Sequence, residues 1–188
     1  MLPALRFTLC VVFVVVTNAA AQELPSIKQD TTFPAELRRT VHSGSAKVGD
    51  PVEFRTVEPV LIGNGVVVPD GASLIGQVEE VQPRSGASRE SSVSVRIDKL
   101  QWGNHSLPLN VVVSSVFYAR SGYFSESRPG PKPTFLEGIQ VVAHLSDVAF
   151  TEFSSSKKEV VLRNGVLLLF RQVDPERYTD SPQLAQTR

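Results

Sequence analysis

Apolar and polar positions alternate with a period of two along most of this chain. Ser92-Val93-Ser94-Val95-Arg96-Ile97-Asp98 is the cleanest case, with Val93, Val95 and Ile97 on one face as in a half-buried strand. Leu107-Pro108-Leu109-Asn110-Val111-Val112-Val113 alternates in a similar way, and Pro108 suits an edge position or a strand start. Trp102-Gly103-Asn104-His105 lies between the two runs and has the length of a hairpin loop, so the pair predicts an antiparallel hairpin. Val52-Glu53-Phe54-Arg55, opened by Gly49-Asp50-Pro51, predicts a further strand.

Turn residues punctuate these runs. Asn64-Gly65 stands between Val60-Leu61-Ile62 and Val66-Val67-Val68 and predicts a type I′ hairpin, because both residues tolerate positive φ. Asn164-Gly165, between Glu159-Val160-Val161-Leu162 and Val166-Leu167-Leu168-Leu169-Phe170, repeats the arrangement. Pro69-Asp70-Gly71 predicts a third turn leading into Ser73-Leu74-Ile75-Gly76-Gln77-Val78. There Pro69 fixes φ, Gly71 permits the turn, and Gly76 admits a bulge or a close backbone. Val66 to Gly71 and Val160 to Gly165 look alike, which leaves open either an internal duplication or two ordinary hairpins.

Residues 135–149 fit a strand or a short helix equally well. Arg120 to Thr134 is the longest irregular tract, stiffened by Pro129-Gly130-Pro131-Lys132-Pro133, and the predicted loop spans 117–135. Residues 22–36 are polar and broken by Pro25 and Pro34, so they read as a leader, and 174–188 read as a polar tail. The predicted β-domain spans 37–173. Many short strands with turns at short intervals make it all-β, an antiparallel sandwich or partly closed barrel with little helix.

The first 21 residues follow a different pattern. Arg6 precedes the apolar run Phe7 to Val16, and Ala19-Ala20-Ala21 supplies the small residues a signal peptidase reads. This predicts a secretory signal peptide cut between Ala21 and Gln22. The apolar run is shorter than the roughly 20 residues a spanning helix needs, so no membrane span is expected in the mature chain. The only Cys and the only Met fall in this segment, as Cys10 and Met1. The mature chain therefore has no thiol for a disulfide, a metal or catalysis. An exported domain without cystines points to the bacterial envelope, periplasmic or extracellular.

Charge narrows the partners. The chain carries 19 Lys+Arg and 19 Asp+Glu, which offers no general grip on nucleic acid phosphates. Candidate chemistry is sparse. His144-Leu145-Ser146-Asp147 holds a base, a hydroxyl and a carboxylate, but adjacency in one strand does not converge them as a hydrolytic triad requires. His42, His105 and His144 lack metal-ligand spacing, and the Glu79-Glu80 doublet would point to opposite faces of a strand. Gly63-Asn64-Gly65 is a turn with no helix after it, not a phosphate cradle. No catalytic, cofactor-binding or metal-binding residue is assigned, and no cofactor is expected. The aromatic residues Phe117, Tyr118, Tyr123 and Phe124 sit among Gly, Ser and Pro and are the candidate partner loop.

From Val48 to Val113 the succession Gly49-Asp50, strand, Asn64-Gly65, Val66-Val67-Val68-Pro69-Asp70-Gly71-Ala72, Leu74-Ile75-Gly76 and an alternating strand and hairpin resembles the β-domain of TrbI-like proteins. Those are components of type IV secretion and conjugation channels. The same pattern also resembles small signal-peptide-bearing bacterial β proteins of unknown function. The resemblance implies a β-rich architecture. It does not carry a channel role, because TrbI-like proteins have a transmembrane helix and a long proline-rich arm where this chain reads as a cleavable signal and a short leader.

These readings lead to an exported, non-catalytic envelope module that binds an envelope protein or polymer through sheet edges and the 117–135 loop. The alternatives are an envelope hydrolase with acidic or His residues in a cleft, and a structural subunit that self-assembles as a homo-oligomer.

Overall fold

A computed structural model describes residues 27–86, 88–117, 138–145 and 148–174. The period of two is realised almost throughout. Thirteen strands occur among these residues: β1 (Thr32–Leu37), β2 (Val41–His42), β3 (Pro51–Thr56), β4 (Val60–Ile62), β5 (Val66–Val68), β6 (Ser73–Gln82), β7 (Ser91–Trp102), β8 (His105–Pro108), β9 (Val111–Phe117), β10 (Gln140–Leu145), β11 (Ala149–Ser155), β12 (Val161–Leu162) and β13 (Leu167–Gln172). A single 3-10 turn, Gly63–Gly65, is the one helical element among them. The chain is all-β, as its alternation predicts.

The main sheet runs β10-β11-β7-β6-β3-β1-β13-β9, with β8 paired to β7, and every pairing is antiparallel. It curls until its two ends meet. The backbone N–H of Val113 on β9 donates to Thr151 Oγ1 on β11 at 2.9 Å, so the sheet is a nearly closed barrel with a side-chain bridge across its seam. The small pairs β4–β5 and β2–β12 lie outside this ladder.

Inward residues fill the barrel. Phe54, Phe153 and Phe170 are wholly buried, and Phe170 meets Phe54 edge-on at 5.0 Å and stacks with Phe33 at 6.2 Å. Burying such rings contributes about 1.5–3 kcal/mol each. Val93, Val95 and Ile97 are inward, as their spacing requires. After Ile97 the phase slips: Asp98 and Lys99 are both exposed, and Leu100 is buried. The cause is a bulge, since Ile75 pairs with Lys99 while Gly76 pairs with Ile97, which leaves Asp98 unmatched. The Asp98 carbonyl accepts instead from the Leu109 N–H at 2.9 Å. A second bulge leaves Glu79 of β6 unmatched. Arg96 forms ion pairs with both bulged carboxylates, Glu79 at 3.0 Å and Asp98 at 2.8 Å.

Four sequence expectations are corrected. Residues 22–36 are not wholly a leader: β1 begins at Thr32 and lies between β3 and β13 inside the sheet. Phe33, Ala35 and Leu37 alternate inward, and Pro34 is accommodated because the ladder to β3 starts only at Ala35. Leu107 to Val113 is not one strand, since β8 pairs with β7 whereas β9 crosses to β13. The β7–β8 hairpin itself forms, turning through Gly103-Asn104 with Trp102 opposite His105. Gly103 alone has positive φ there (52°), which fits a type II′ turn.

Asn64-Gly65 does join β4 and β5, but Ile62 pairs with Val66 across three residues and only Gly65 has positive φ (79°). The loop is therefore a helical turn closed by a left-handed Gly, not type I′. Asn164-Gly165 is a corner, not a hairpin, because β12 pairs with β2 and β13 with β1 and β9. The Val166 N–H returns to the Arg163 carbonyl at 3.1 Å with Gly165 at φ 85°, as in a type II turn. Residues 140–145 take the strand option as β10.

Candidate functional site

The two glycine turns at Gly71 and Gly103 come together on the outside of the barrel. On β3, Val52, Phe54 and Thr56 point inward, so Glu53 and Arg55 face outward. On β6, Ser73 and Ile75 alternate with the buried Leu74. Register places Glu53 opposite Ile75, Ser73 opposite both Arg55 and Gln101, and Ile75 opposite Lys99. The Pro69–Gly71 turn closes one end of this patch and the Trp102–Gly103 turn another. Together they bound a groove of about 470 Å³, within the range of small-ligand sites. Its walls are Glu53, Ser73, Ile75, Gln101 and Trp102, with the Pro69 to Ala72 segment at the rim.

Each wall is held by the fold. Thr56, itself buried, anchors the rim: its backbone pairs with Gly71 and Ala72, its Oγ1 donates to the Pro69 carbonyl at 3.3 Å, and the Ala72 N–H donates to Oγ1 at 3.0 Å. Gly71 has φ 77°, a conformation that side chains other than Gly adopt at a cost. Ser73 Oγ donates to Glu53 Oε1 at 3.1 Å and orients that carboxylate. Trp102 packs partly on the core, and His105 stacks on its indole at 5.4 Å with the planes 26° apart. The Trp102 side chain shares the inward side of β7 with Leu100, whereas Gln101 faces outward with Glu53 and Ser73.

The structure scatters the other sequence-derived candidates. Pro69 and Gly71 are at the groove. Gly76 sits where the β6 and β7 backbones nearly touch; a Cβ there would lie 1.9 Å from the Arg96 carbonyl oxygen, as the expected close approach requires. Asn64 and Gly65 belong to the β4–β5 turn, and Asn164 and Gly165 to the corner before β13. Phe117 is the last residue of β9, while Tyr118, Tyr123 and Phe124, like Ala21 and Gln22, lie outside the described residues. His144 Nε2 is 3.0 Å from Glu152 Oε2, and its ring stacks on Phe150 at 4.5 Å; Ser146 and Asp147 lie outside the described residues.

His42 Nδ1 accepts the Gly44 N–H at 2.9 Å. Among the described residues, no group of three or more His, Cys, Asp or Glu could hold a metal. No helix among them is long and apolar enough to cross a membrane.

Sequence reasoning missed Glu53, Asp70, Ser73, Gln101 and Trp102 as one site. The available signal was the polar–apolar–polar order of Glu53-Phe54-Arg55 and Ser73-Leu74-Ile75, together with a Trp beside a Gly turn. Only the β3–β6–β7 register joins those pieces. Compared with protein-family models, curated proteins and solved structures, the chain matches none.

Proposed function

We propose that the chain is an exported, non-catalytic binding module of the bacterial envelope that engages an envelope protein or polymer through the groove between the Pro69–Gly71 and Trp102–Gly103 turns. The observation that carries this reading is the build of the groove: several polar side chains around Ile75 on paired strands, closed by turns of which the buried Thr56 ties one down. Rigid placement of a few polar groups around apolar surface is what a binding site needs. Residues 1–21 supply the export signal. The TrbI-like succession read from Val48 to Val113 falls on β3 to β9, which includes every wall of the groove.

A second reading, self-assembly by strand addition, is favoured by β10. It is a terminal strand of the main sheet, and Val141 and Val142 are 36% and 44% exposed on it. The hydrolase alternative has no comparable support, since His144 is engaged by Glu152 and Phe150.

Expression with the signal in a bacterial host tests the proposal. The expected product is found outside the cytoplasm and begins at Gln22, and the purified domain retains envelope material in a pull-down. Asp70→Ala with Gln101→Ala should abolish that retention while leaving circular dichroism and thermal midpoint unchanged. A cytoplasmic product, or retention insensitive to the double variant, overturns it. Light scattering decides the second reading: a monomer at high concentration rejects it.

A further inference from the structure

We infer that β10 pairs edge to edge with β10 of a second copy in a closed two-fold dimer, which rests on the self-assembly reading above and deepens it by naming the edge, the partner and the register. The two ends of the main sheet overlap instead of abutting. Val111 and Val113 of β9 belong to the main core, so the intervening Val112 faces outward. Val112 is nevertheless wholly buried, in a separate small cluster with Ala149 against which Leu145 packs. Ala149 and Leu145 are a cross-strand pair, and Ala149 shares the inward side of β11 with Thr151 and Phe153. One end of the β10–β11 hairpin therefore lies over the outside of β9, and β10 stands beyond the seam that Thr151 bridges. The other end of β10 is bare. Gln140, Val141, Val142 and Ala143 are exposed in succession, hence on both faces, where a strand within the barrel buries one face.

The same overlap leaves one kind of edge to pair. β9, at the opposite end of the sheet, is held at the seam by its Val113 N–H, with Val112 buried beside it. Among the other described strands, β8 has four residues and ends in Pro108, which has no N–H. The β4–β5 and β2–β12 pairs have three and two residues in each strand. β10 has six residues, pairs with β11 without a register shift, and carries no Pro, Lys, Arg, Asp or Glu. It lacks the devices that keep an edge from pairing. With no different edge of comparable length to join on another copy, β10 builds neither an open chain nor a ring, and self-pairing is what remains. Charge permits it, since two copies of Gln140 to Leu145 bring no like charges together. A two-fold axis that continues the outer face of one sheet into the outer face of the next centres on a residue, and Val142 is the centre that matches side chains. Val142 then meets Val142, Val141 meets Ala143, and Gln140 meets His144 of the second copy. Two such edges bury less than the roughly 800 Å² per partner of a stable complex, so the dimer dissociates on dilution.

Residues 22–188 contain no cysteine, so one introduced thiol reports one position. The chain from Gln22 is prepared as Val142→Cys, with Lys47→Cys, an exposed loop position, as the control, and both are treated with a short thiol cross-linker at high protein concentration. The expected result is a shift to covalent dimer in Val142→Cys that Lys47→Cys does not show. In light scattering the wild type should move from monomer to dimer mass as its concentration rises, and Val142→Lys should stay monomeric. Val142 is exposed and stands opposite Glu152 on β11, so a lysine there gains a cross-strand partner and the fold is kept, which circular dichroism checks. A wild-type dimer that Val142→Lys leaves intact, or that Val142→Cys does not trap, overturns the β10 pairing and leaves the self-assembly reading standing. Species larger than a dimer overturn the closed two-fold. A wild type that is monomeric at every concentration, with no trapped dimer, overturns both. A thiol at position 142 that links to another protein of an envelope extract in place of its own copy overturns the second copy in favour of a partner's strand.

Discussion

Gly76 shows how much a single residue can decide in this barrel. Its inward position on β6 faces the β7 backbone so closely that a methyl group would overlap the Arg96 carbonyl oxygen and lie 2.8 Å from the Ile97 Cα. Neither neighbour is a movable side-chain tip. Gly76→Ala should therefore cost about 3 kcal/mol or more, or prevent folding, as read by urea denaturation. Gly86→Ala is the matched control, because a Cβ there meets nothing within 4 Å, and its change should stay within about 0.5 kcal/mol. Equal losses at the two positions would contradict the close approach. Position 76 was readable in advance as a site of close backbone or a bulge, since an isolated Gly in a strand pattern has few other uses. The neighbouring Asp98 was not. A bulge depends on the partner strand, and nothing in Val95-Arg96-Ile97-Asp98-Lys99 marks where the alternation will slip.

At the scale of elements, local pattern and remote pairing part company. The hairpin turn at Gly103 and the strands β3, β6 and β7 follow from alternation and glycine, both local properties. The Asn164-Gly165 corner misleads for a physical reason: the same two residues serve a hairpin or a change of direction, and the choice belongs to Val41-His42, which captures β12 from more than a hundred residues upstream. The groove was illegible for the same cause, because its walls come from three strands whose register no single segment encodes. Closure of the sheet also rests on a remote contact. Thr151 is buried, and its hydroxyl is the acceptor for the Val113 N–H across the β9–β11 seam. Thr151→Val keeps the volume and removes the acceptor, so stability should fall by about 1–2 kcal/mol. Hydrogen exchange at the Val113 amide should accelerate at the same time; an amide that exchanges as slowly as before would show that the seam is held by something else.

For the whole molecule, β1 matters most. A short polar segment with two prolines reads as a leader by composition, yet Phe33, Ala35 and Leu37 are part of the core and β1 bridges β3 and β13. Removing residues 22–37 should abolish cooperative thermal unfolding, whereas a chain that starts at Ile27 should retain it. A truncated chain that still melts in one sharp transition would mean that β3 and β13 can pair without β1. The β1–β13 ladder also joins Glu36 to Leu167 and Thr32 to Arg171, and this bears on timing. A strand near the beginning waits for one near the end, so no early part of the chain can complete the barrel by itself. As the chain leaves the ribosome N-terminus first, β1 emerges long before its partner and stays unpaired until residue 171 follows. The topology thereby defers the locking of the barrel until the last of the described strands, β13, has been made.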